Sequence, residues 1–475
     1  MNKMGGVSII TSTEKEDASK IFEMMKSLKH RGDFFGLGSQ DKVFISNNIK
    51  ELKSLNLKSE SIIGYNFFNG STVSQPIKIN NQVYIFDGEI FTKEKIINAE
   101  NFPKIEFEKD LINFLKKSDG AYVLAIFLND KLFVARDPLG LKPLYYWGEN
   151  DFYIFSSEKK ALWRIGIKEP KSFPPGVVAE FKNGKSIFKK FKEFPHFKIE
   201  PKSFNKTIET LANLILNSIK KRSLDLKEAA VAFSGGIDSS LIAYTLNKIG
   251  VKVKLFTVGI KNKFNYTFVE KAAEELNLPL EKQLFTINEL KKAIKKVLWI
   301  IEEPNLMKLE IAIPVFWVSK LASQEGFKKI FFGQGADELF GGYKKFVDIL
   351  IGKGKEACFK TLFQSVVKAY EVNYERDEKI AAYNRIELRL PYTDWNLVNY
   401  AIKLPVEVKI KNEKERKIIL REAAKILGLP ENLIKTEKKA IQYETGVHKC
   451  LIKNLKFDLN YLGQLFNEIL KHYFI

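Results

Sequence analysis

Two short runs of the sequence combine glycine, hydroxyl and carboxylate side chains in a pattern that suits the handling of a polyphosphate. The first is SGGIDSS, Ser234 to Ser240, set between an apolar strand-like run, Ala229 to Phe233, and a helical pattern, Ser239 to Ile249. Gly235 and Gly236 permit a sharp turn that brings bare N–H groups to an anion. The hydroxyls of Ser234, Ser239 and Ser240 add donors, and a helix N-terminus adds a favourable dipole. Asp238 is anomalous in such a cradle, because a carboxylate repels phosphates unless a cation lies between them. Mg²⁺ resolves the conflict, since it takes one or two carboxylates together with phosphate oxygens and water. No lysine of the Walker type accompanies the loop. A serine-rich helix cap is the bland alternative, and the strand before and helix after argue against it.

The second run is GQGADELFGGY, Gly333 to Tyr343, directly after the apolar run Lys329 to Phe332. In an open parallel sheet, ligands gather beyond the carboxyl ends of the strands, so both loops can face one cleft. Asp337 can then share a metal with Asp238. Taken alone, Asp337 and Glu338 read equally well as a solvated helix start with an Asp N-cap.

The elements needed to hold these loops are legible in the pattern. From about Asn205 onward strands and helices alternate, as a parallel sheet covered on both faces requires. Ala229 to Phe233, Val253 to Val258 and Lys329 to Phe332 read as strands. Ser239 to Ile249, Tyr266 to Leu276, Leu290 to Ile301 and Pro314 to Ser323 read as helices, and the tail beyond Val347 is mostly helical. Residues 1–190 instead show short strand-length runs with helical patches: Gln82 to Phe86, Ala121 to Leu128, Lys131 to Ala135 and Phe152 to Phe155. This is an α+β pattern. The Pro-, Phe- and Lys-rich stretch from Phe173 to Phe204 lacks sustained periodicity and separates a unit at 1–190 from one at 205–475.

Composition narrows the class. A chain of 475 residues is long enough for two domains, and 45% hydrophobic with 28% charged residues falls within the globular range. No segment approaches the ~18 consecutive apolar residues of a membrane span. The start of the chain lacks the pattern of a secretory signal, and two cysteines, Cys358 and Cys450, cannot build a disulfide framework. A soluble protein of the reducing cytoplasm is expected. The formal net charge of +20 favours polyanions, but the lysines are scattered, so a nucleotide suits it as well as a nucleic acid. The four histidines are too dispersed for a transition-metal site, and Phe34-Phe35 and Phe67-Phe68 read as core.

Five motifs in order resemble those of the asparagine synthetase family. They are RDPLGLKPLYY (Arg136 to Tyr146), FSSEKKAL (Phe155 to Leu162), SGGIDSS, GQGADELFGGY and IELRLPYTD (Ile386 to Asp394). The resemblance implies an α/β protein with a C-terminal doubly wound parallel-sheet ATP-pyrophosphatase domain and an N-terminal α+β domain like an N-terminal-nucleophile hydrolase sandwich. It implies that Ser234, Gly235, Gly236, Asp238 and Ser239 hold phosphates, that Val258 and Gly333 border the adenosine, and that Asp238 and Asp337 hold Mg²⁺. Lys439, in KTEKKAIQY, is similar to a lysine that neutralises the departing pyrophosphate, with Lys438 as its competitor.

The sequence departs from that family at informative places. Glutamine-using members resemble one another in an N-terminal Cys; Gly5, within Met4-Gly5-Gly6-Val7, stands in its position, and no Cys precedes Cys358. Asp87-Gly88-Glu89 replaces the usual Asn-Gly-Glu, although His30-Arg31-Gly32 survives. Glutaminase activity is therefore expected to be absent. Gln334 stands where many members carry a glutamate thought to assist intermediate formation. Glu310 falls near an arginine that would grip the acceptor's α-carboxylate, with Lys308 a replacement charge or Glu310 merely on a solvated face. Tyr343, Tyr392 and Glu387 are candidates to line the acceptor pocket or to hold the helical tail.

The expected function is ATP- and Mg²⁺-dependent activation of a carboxylic acid, aspartate first, as an acyl-adenylate. Ammonia then captures it to form an amide, releasing AMP and pyrophosphate. The ammonia would be free or handed over by a separate glutaminase, and a homodimer is a further candidate assembly; neither membrane nor nucleic acid is expected as a partner. A ligase for a different acid or amine, as in the β-lactam synthetases, is the first alternative. A nucleotide-binding pseudoenzyme and a tRNA-modifying ATPase follow it; the intact carboxylates oppose the former and the ordered motifs the latter.

Overall fold

The computed structural model describes residues 5–69, 73–80, 82–183, 185–195, 203–436, 441–455 and 457–473. Up to Lys190 the chain forms two seven-stranded antiparallel sheets. One is built around Gly6–Asp17, paired with Lys58–Phe67 and Phe152–Ser156; the other around Gln82–Phe91, paired with Gly120–Leu128. Strand side chains alternate between faces. Val7, Ile9, Val83, Ile85, Val123 and Ala125 therefore meet in one core between the sheets. Ile10 and Ile62 pack outward under the Ser19–Ser27 helix, and Tyr84, Phe86 and Leu124 under the Glu108–Lys117 helix. The result is four layers, helix, sheet, sheet, helix. Of the phenylalanines read as core, Phe35, Phe67 and Phe68 are buried and Phe34 is partly buried against the core between the sheets.

The second half contains a five-stranded parallel sheet. Across the sheet its strands run Leu280–Phe285, Lys252–Ile260, Glu228–Ala232, Lys329–Phe331, Glu387–Arg389. The chain steps outward one way from the central strand, then returns to its other side, which makes the sheet doubly wound with a switch point between Glu228–Ala232 and Lys329–Phe331. Helices including Ile237–Lys248 and Leu306–Gln324 pack on the sheet and share its core.

Three sequence expectations need correction. The helix expected from Pro314 starts at Leu306 and carries Pro314 inside it. Apolar side chains all round this helix, from Leu309 to Ala322, bury it in the core, and that packing outweighs the local penalty of proline. Two strands escape the pattern: Leu280–Phe285 is a half-exposed edge strand with mixed polarity, and Glu387–Arg389 is too short for any period to register. The stretch from Phe173 to Phe204 is not featureless either. It contains a hairpin, Val177–Lys182 with Lys185–Lys190, on the edge of the second antiparallel sheet. Among the described residues no helix is long and apolar enough to cross a membrane.

Candidate active site

The switch point puts both glycine loops at one mouth. Glu228–Ala232 delivers Phe233 and the Ser234 turn, and Lys329–Phe331 delivers Gly333 and Gln334. Gly235 has a φ of +75°, in the left-handed region that favours glycine. The two loops touch: a Cβ on Gly333 would lie 2.8 Å from the Cβ of Asp238, so only glycine fits. Ser234, Asp238, Ser239, Val258, Gly333, Gln334 and Asp337 line one cavity of about 160 Å³. Gly235 and Gly236 supply the turn, and Ser240 is fully buried behind it.

The Ser234 turn is held by long internal contacts. The Gly236 N–H donates to Ser234 Oγ at 3.3 Å, and Ser239 Oγ donates to the Gly236 carbonyl at 3.2 Å. Hydrogen bonds at this end of the distance range are weak, so an anion's oxygens can replace them. The Ile237–Lys248 helix begins there and presents its N-terminal N–H groups and dipole to the same space.

Asp238 and Asp337 converge on one cation, and that cation is a residue the sequence reading missed. Lys417 Nζ lies 2.7 and 2.5 Å from the two Asp238 carboxylate oxygens and 2.7 Å from Asp337 Oδ1. Its side chain is 1% exposed, and its φ of +56° at the start of the Ile418–Leu427 helix directs it into the cleft. Gly342 makes room, since a Cβ there would lie 2.5 Å from Lys417 Cε. In sequence, Lys417 is one lysine among many before an amphipathic helix, with no signal to mark it. Tyr392, fully buried, donates its hydroxyl to the Asp238 carbonyl at 3.1 Å and so fixes the loop rather than lining the pocket.

The donor set fits a hard divalent cation. Two carboxylates within reach of one positive centre, beside a phosphate-sized cradle, match the preference of Mg²⁺ for few protein ligands plus phosphate and water. Among the described residues no group of three His, Cys, Asp or Glu side chains forms a fuller cage.

Gln334 donates its side-chain N–H to Asp377 Oδ2 at 3.0 Å. Arg376 grips the same carboxylate through Nε at 2.8 Å and Nη2 at 3.1 Å. Burial pushes the Asp377 carboxyl up, partly opposed by Arg376 and Gln334. Beyond Gln334, Glu338 accepts from Tyr343 Oη at 2.5 Å and from Asn373 Nδ2 at 2.7 Å. Burial, then the carboxylates of Glu338 and Asp337, hold the Tyr343 hydroxyl protonated. Tyr343, Asn373, Ile311 and Gln442 also border a second cavity of about 980 Å³, which carries Lys263, Lys345, Lys368 and Arg416 on its walls.

The remaining candidates fall elsewhere. Glu310 is not solvated: it is 4% exposed and bonded to His448 Nδ1 at 2.8 Å. Lys308 is occupied by Glu303 at 2.5 Å and the Glu371 carbonyl at 2.8 Å. Glu387 lies near Lys329 at 3.7 Å, in a separate small cavity with Gly88 and Glu89. Lys438 and Lys439 lie outside the described residues.

The N-terminal pocket is closed around Gly5. A Cβ on Gly5 would collide with the Tyr65 ring and lie 2.5 Å from the Asn66 carbonyl oxygen. Asp87 Oδ1 accepts from the Gly5 N–H at 3.1 Å and from Tyr65 Oη at 3.0 Å. Burial raises the Asp87 carboxyl's pKa, and Lys142, 3.6 Å away, opposes the shift.

Comparison with known proteins follows the same division. A family model described as asparagine synthase matches residues 210–360 and 352–462, and one described as a glutamine amidotransferase domain matches residues 68–164. The chain is 30% identical to a Methanocaldococcus jannaschii protein assigned as asparagine synthetase (glutamine-hydrolyzing) 1, covering 94% of both chains. It is 26% identical to asparagine synthetase (glutamine-hydrolyzing) 2 of Oryza sativa, over 93% of this chain and 76% of that one. The same identity is found with asparagine synthetase 3 of Arabidopsis thaliana, over 93% and 78%.

Proposed function

Because the chain belongs to the asparagine synthetase family of ATP-dependent amide ligases, we propose that it activates a carboxylic acid, aspartate first, as an acyl-adenylate. Ammonia then takes the acyl group and AMP leaves, pyrophosphate having left in the first step. The reading divides the labour between an adenylating unit at 205–475 and a silent amidotransferase-like unit at 1–190. The observation that carries it is the convergence of Asp238 and Asp337 on one positive centre at the sheet's switch point, within a cavity bordered by Val258 and Gly333.

In this reading Ser234, Ser239 and the N–H groups of Gly235 and Gly236 bind the β- and γ-phosphates, and Ser240 supports the turn from behind. Asp238 and Asp337 hold Mg²⁺, which when bound neutralises charge on the polyphosphate as pyrophosphate departs. Lys439, or Lys438 in its stead, adds positive charge there. Gln334, held by Asp377, offers its amide to the reacting carboxyl group. The closed surroundings of Gly5 support the absence of glutaminase activity, because a side chain carrying a thiol at that position has no room beside Tyr65. Free ammonia, or ammonia from a separate glutaminase, then serves as donor. The two cysteines, both unpaired and buried, suit a reducing cytoplasm.

The test is aspartate-dependent ATP–pyrophosphate exchange, followed by aspartate-dependent pyrophosphate release with ammonium present. A chain that binds ATP but exchanges pyrophosphate with no acid refutes adenylation. One observation favours a second reading, an acid other than aspartate. Buried Glu310 pairs with the part-exposed His448 near where a carboxylate clamp is expected, and the 980 Å³ cavity is far larger than aspartate needs. Exchange with a bulkier carboxylic acid, and none with aspartate, selects it.

A further inference from the structure

Several of the buried charges between the antiparallel sandwich and the parallel-sheet half lie on one helix, Glu375–Tyr383. Three of its residues, Glu375 and the two that follow one turn later, Glu378 and Lys379, face the sandwich. Glu375 accepts from Arg136 Nη2 at 2.9 Å and Tyr145 Oη at 2.6 Å. Glu378 accepts from Arg31 Nη2 at 2.7 Å and Lys142 Nζ at 3.0 Å. Lys379 donates to Tyr145 Oη at 3.1 Å and pairs with Glu302 at 3.1 Å. The intervening residue Asp377 points the other way and carries Gln334.

The other ends of these contacts lie in the closed pocket. Arg31 Nη1 donates to the Gly5 carbonyl at 3.2 Å, and Arg31 Nε lies 2.5 Å from Glu158. Lys142 faces Asp87, whose carboxylate holds Gly5 and Tyr65. Polar contacts therefore run from Gly5 through Arg31, and from Asp87 through Lys142, to Glu378, whose neighbour along the helix, Asp377, holds Gln334. Burial would raise the Glu378 carboxyl, but Arg31 and Lys142 outweigh it and hold it down at about 2. At neutral pH this contact is ionic.

We infer that the closed pocket acts as a latch, with Arg31 and Lys142 as positioning residues that set the Glu375–Tyr383 helix so that Asp377 holds Gln334 in the cleft. The physical reason is the steepness of buried ion pairs. Fully enclosed charges tolerate little displacement before their attraction no longer offsets desolvation, so a helix gripped at Glu375, Glu378 and Lys379 has one position. A neutral apolar interface would let it slide. On this view the sandwich is retained because the cleft depends on it for alignment. Only the kinetic arm of the test rests on the adenylation reading.

Lys142→Met is the working variant, because Glu378 keeps its Arg31 partner and Asp87, whose carboxyl burial already pushes up, can take a proton when it loses the Lys142 charge. Arg31→Met is the more severe form, and Arg31→Lys its conservative rescue. Ile63→Ala, in the sandwich core and remote from the helix, controls for lost stability alone. Hydrogen–deuterium exchange is expected to accelerate about tenfold at amides 333–338 in Lys142→Met, while the Ile63→Ala control leaves them protected. Pyrophosphate-exchange turnover should fall about tenfold with the KM for ATP unchanged, the mark of lost alignment rather than lost binding. Unchanged protection at 333–338 in both Lys142→Met and Arg31→Met, or an equal effect in Ile63→Ala, overturns the latch. A wild-type chain without pyrophosphate exchange overturns the adenylation reading instead, and the hydrogen-exchange arm still decides the latch.

Discussion

Replacing Lys417 by Met tests the geometry of the cleft most directly. Asp238 Oδ2 and Asp337 Oδ1 lie 2.5 and 2.7 Å from the Lys417 ammonium, so these oxygens are within about 5 Å of one another. Two unit charges at ~5 Å repel by about 3 kcal/mol at an effective dielectric of ~20. The carboxylates are only 16% and 14% exposed, so water screens little of this. Without Mg²⁺ the variant should lose about 3 kcal/mol of stability, at the low end for a buried pair deprived of one partner. With Mg²⁺ most of it should return, because a divalent ion can occupy the same position between the carboxylates. Removing the competing ammonium should also tighten Mg²⁺ binding in the absence of nucleotide, by about tenfold or ~1.4 kcal/mol. Urea unfolding with and without Mg²⁺, and calorimetric titration of Mg²⁺, read the two effects separately. A variant as stable as the parent, with the same Mg²⁺ affinity, would show that the two carboxylates do not share a cation position.

Asp238→Asn should abolish pyrophosphate exchange in a chain that circular dichroism shows still folded, because Lys417 keeps Asp337 as a partner, and exchange within tenfold of wild type would remove Asp238 from the metal site. Gly5→Cys should not create glutaminase activity, since the new side chain meets Tyr65 and Asn66; ammonia release from glutamine above a buffer control, by the parent or the variant, would contradict the closed pocket. Burial, only slightly offset by Cys358, lowers the Lys409 ammonium to about 7. The unfolded chain, with an ordinary lysine near ~10.4, binds more protons above that point, so this residue makes stability rise with pH between about 7 and ~10. Denaturation of parent and Lys409→Met across that range should show the parent gaining a few kcal/mol more than the variant, and parallel curves would place the amine in water.

What could be read before the fold was known follows from how local each signal is. The Ser234 loop was legible because glycine, hydroxyl and strand-to-helix placement all lie within a dozen residues. The cleft's two carboxylates could be paired because a parallel sheet brings the ends of its strands together. Lys417 was not legible: it reaches the cleft from far along the chain, through a left-handed backbone conformation that lysine seldom adopts. The burial of Glu310 was equally hidden, since its partner His448 lies in a different helix and only tertiary packing joins them. Of the edge strands, Glu387–Arg389 is defined by its neighbour Lys329–Phe331 more than by its own residues.

On the proposed reading, the N-terminal pocket has been rebuilt around Gly5 rather than emptied. If the nucleophile had simply been lost, glycine at position 5 would leave a void, and a charged Asp87 beside it would be an unpaired buried carboxylate costing several kcal/mol. Neither is found. The Tyr65 ring fills the space a side chain would need, its hydroxyl and the Gly5 N–H both donate to Asp87, and Lys142 supplies the opposite charge. Each change is costly alone and tolerable only with the others: asparagine at 87 would leave Lys142 with one carboxylate fewer, and a side chain at 5 would expel Tyr65. Such mutual dependence is expected of an interior under selection for a fixed shape, because random loss at a disused site has no reason to satisfy every buried donor and charge.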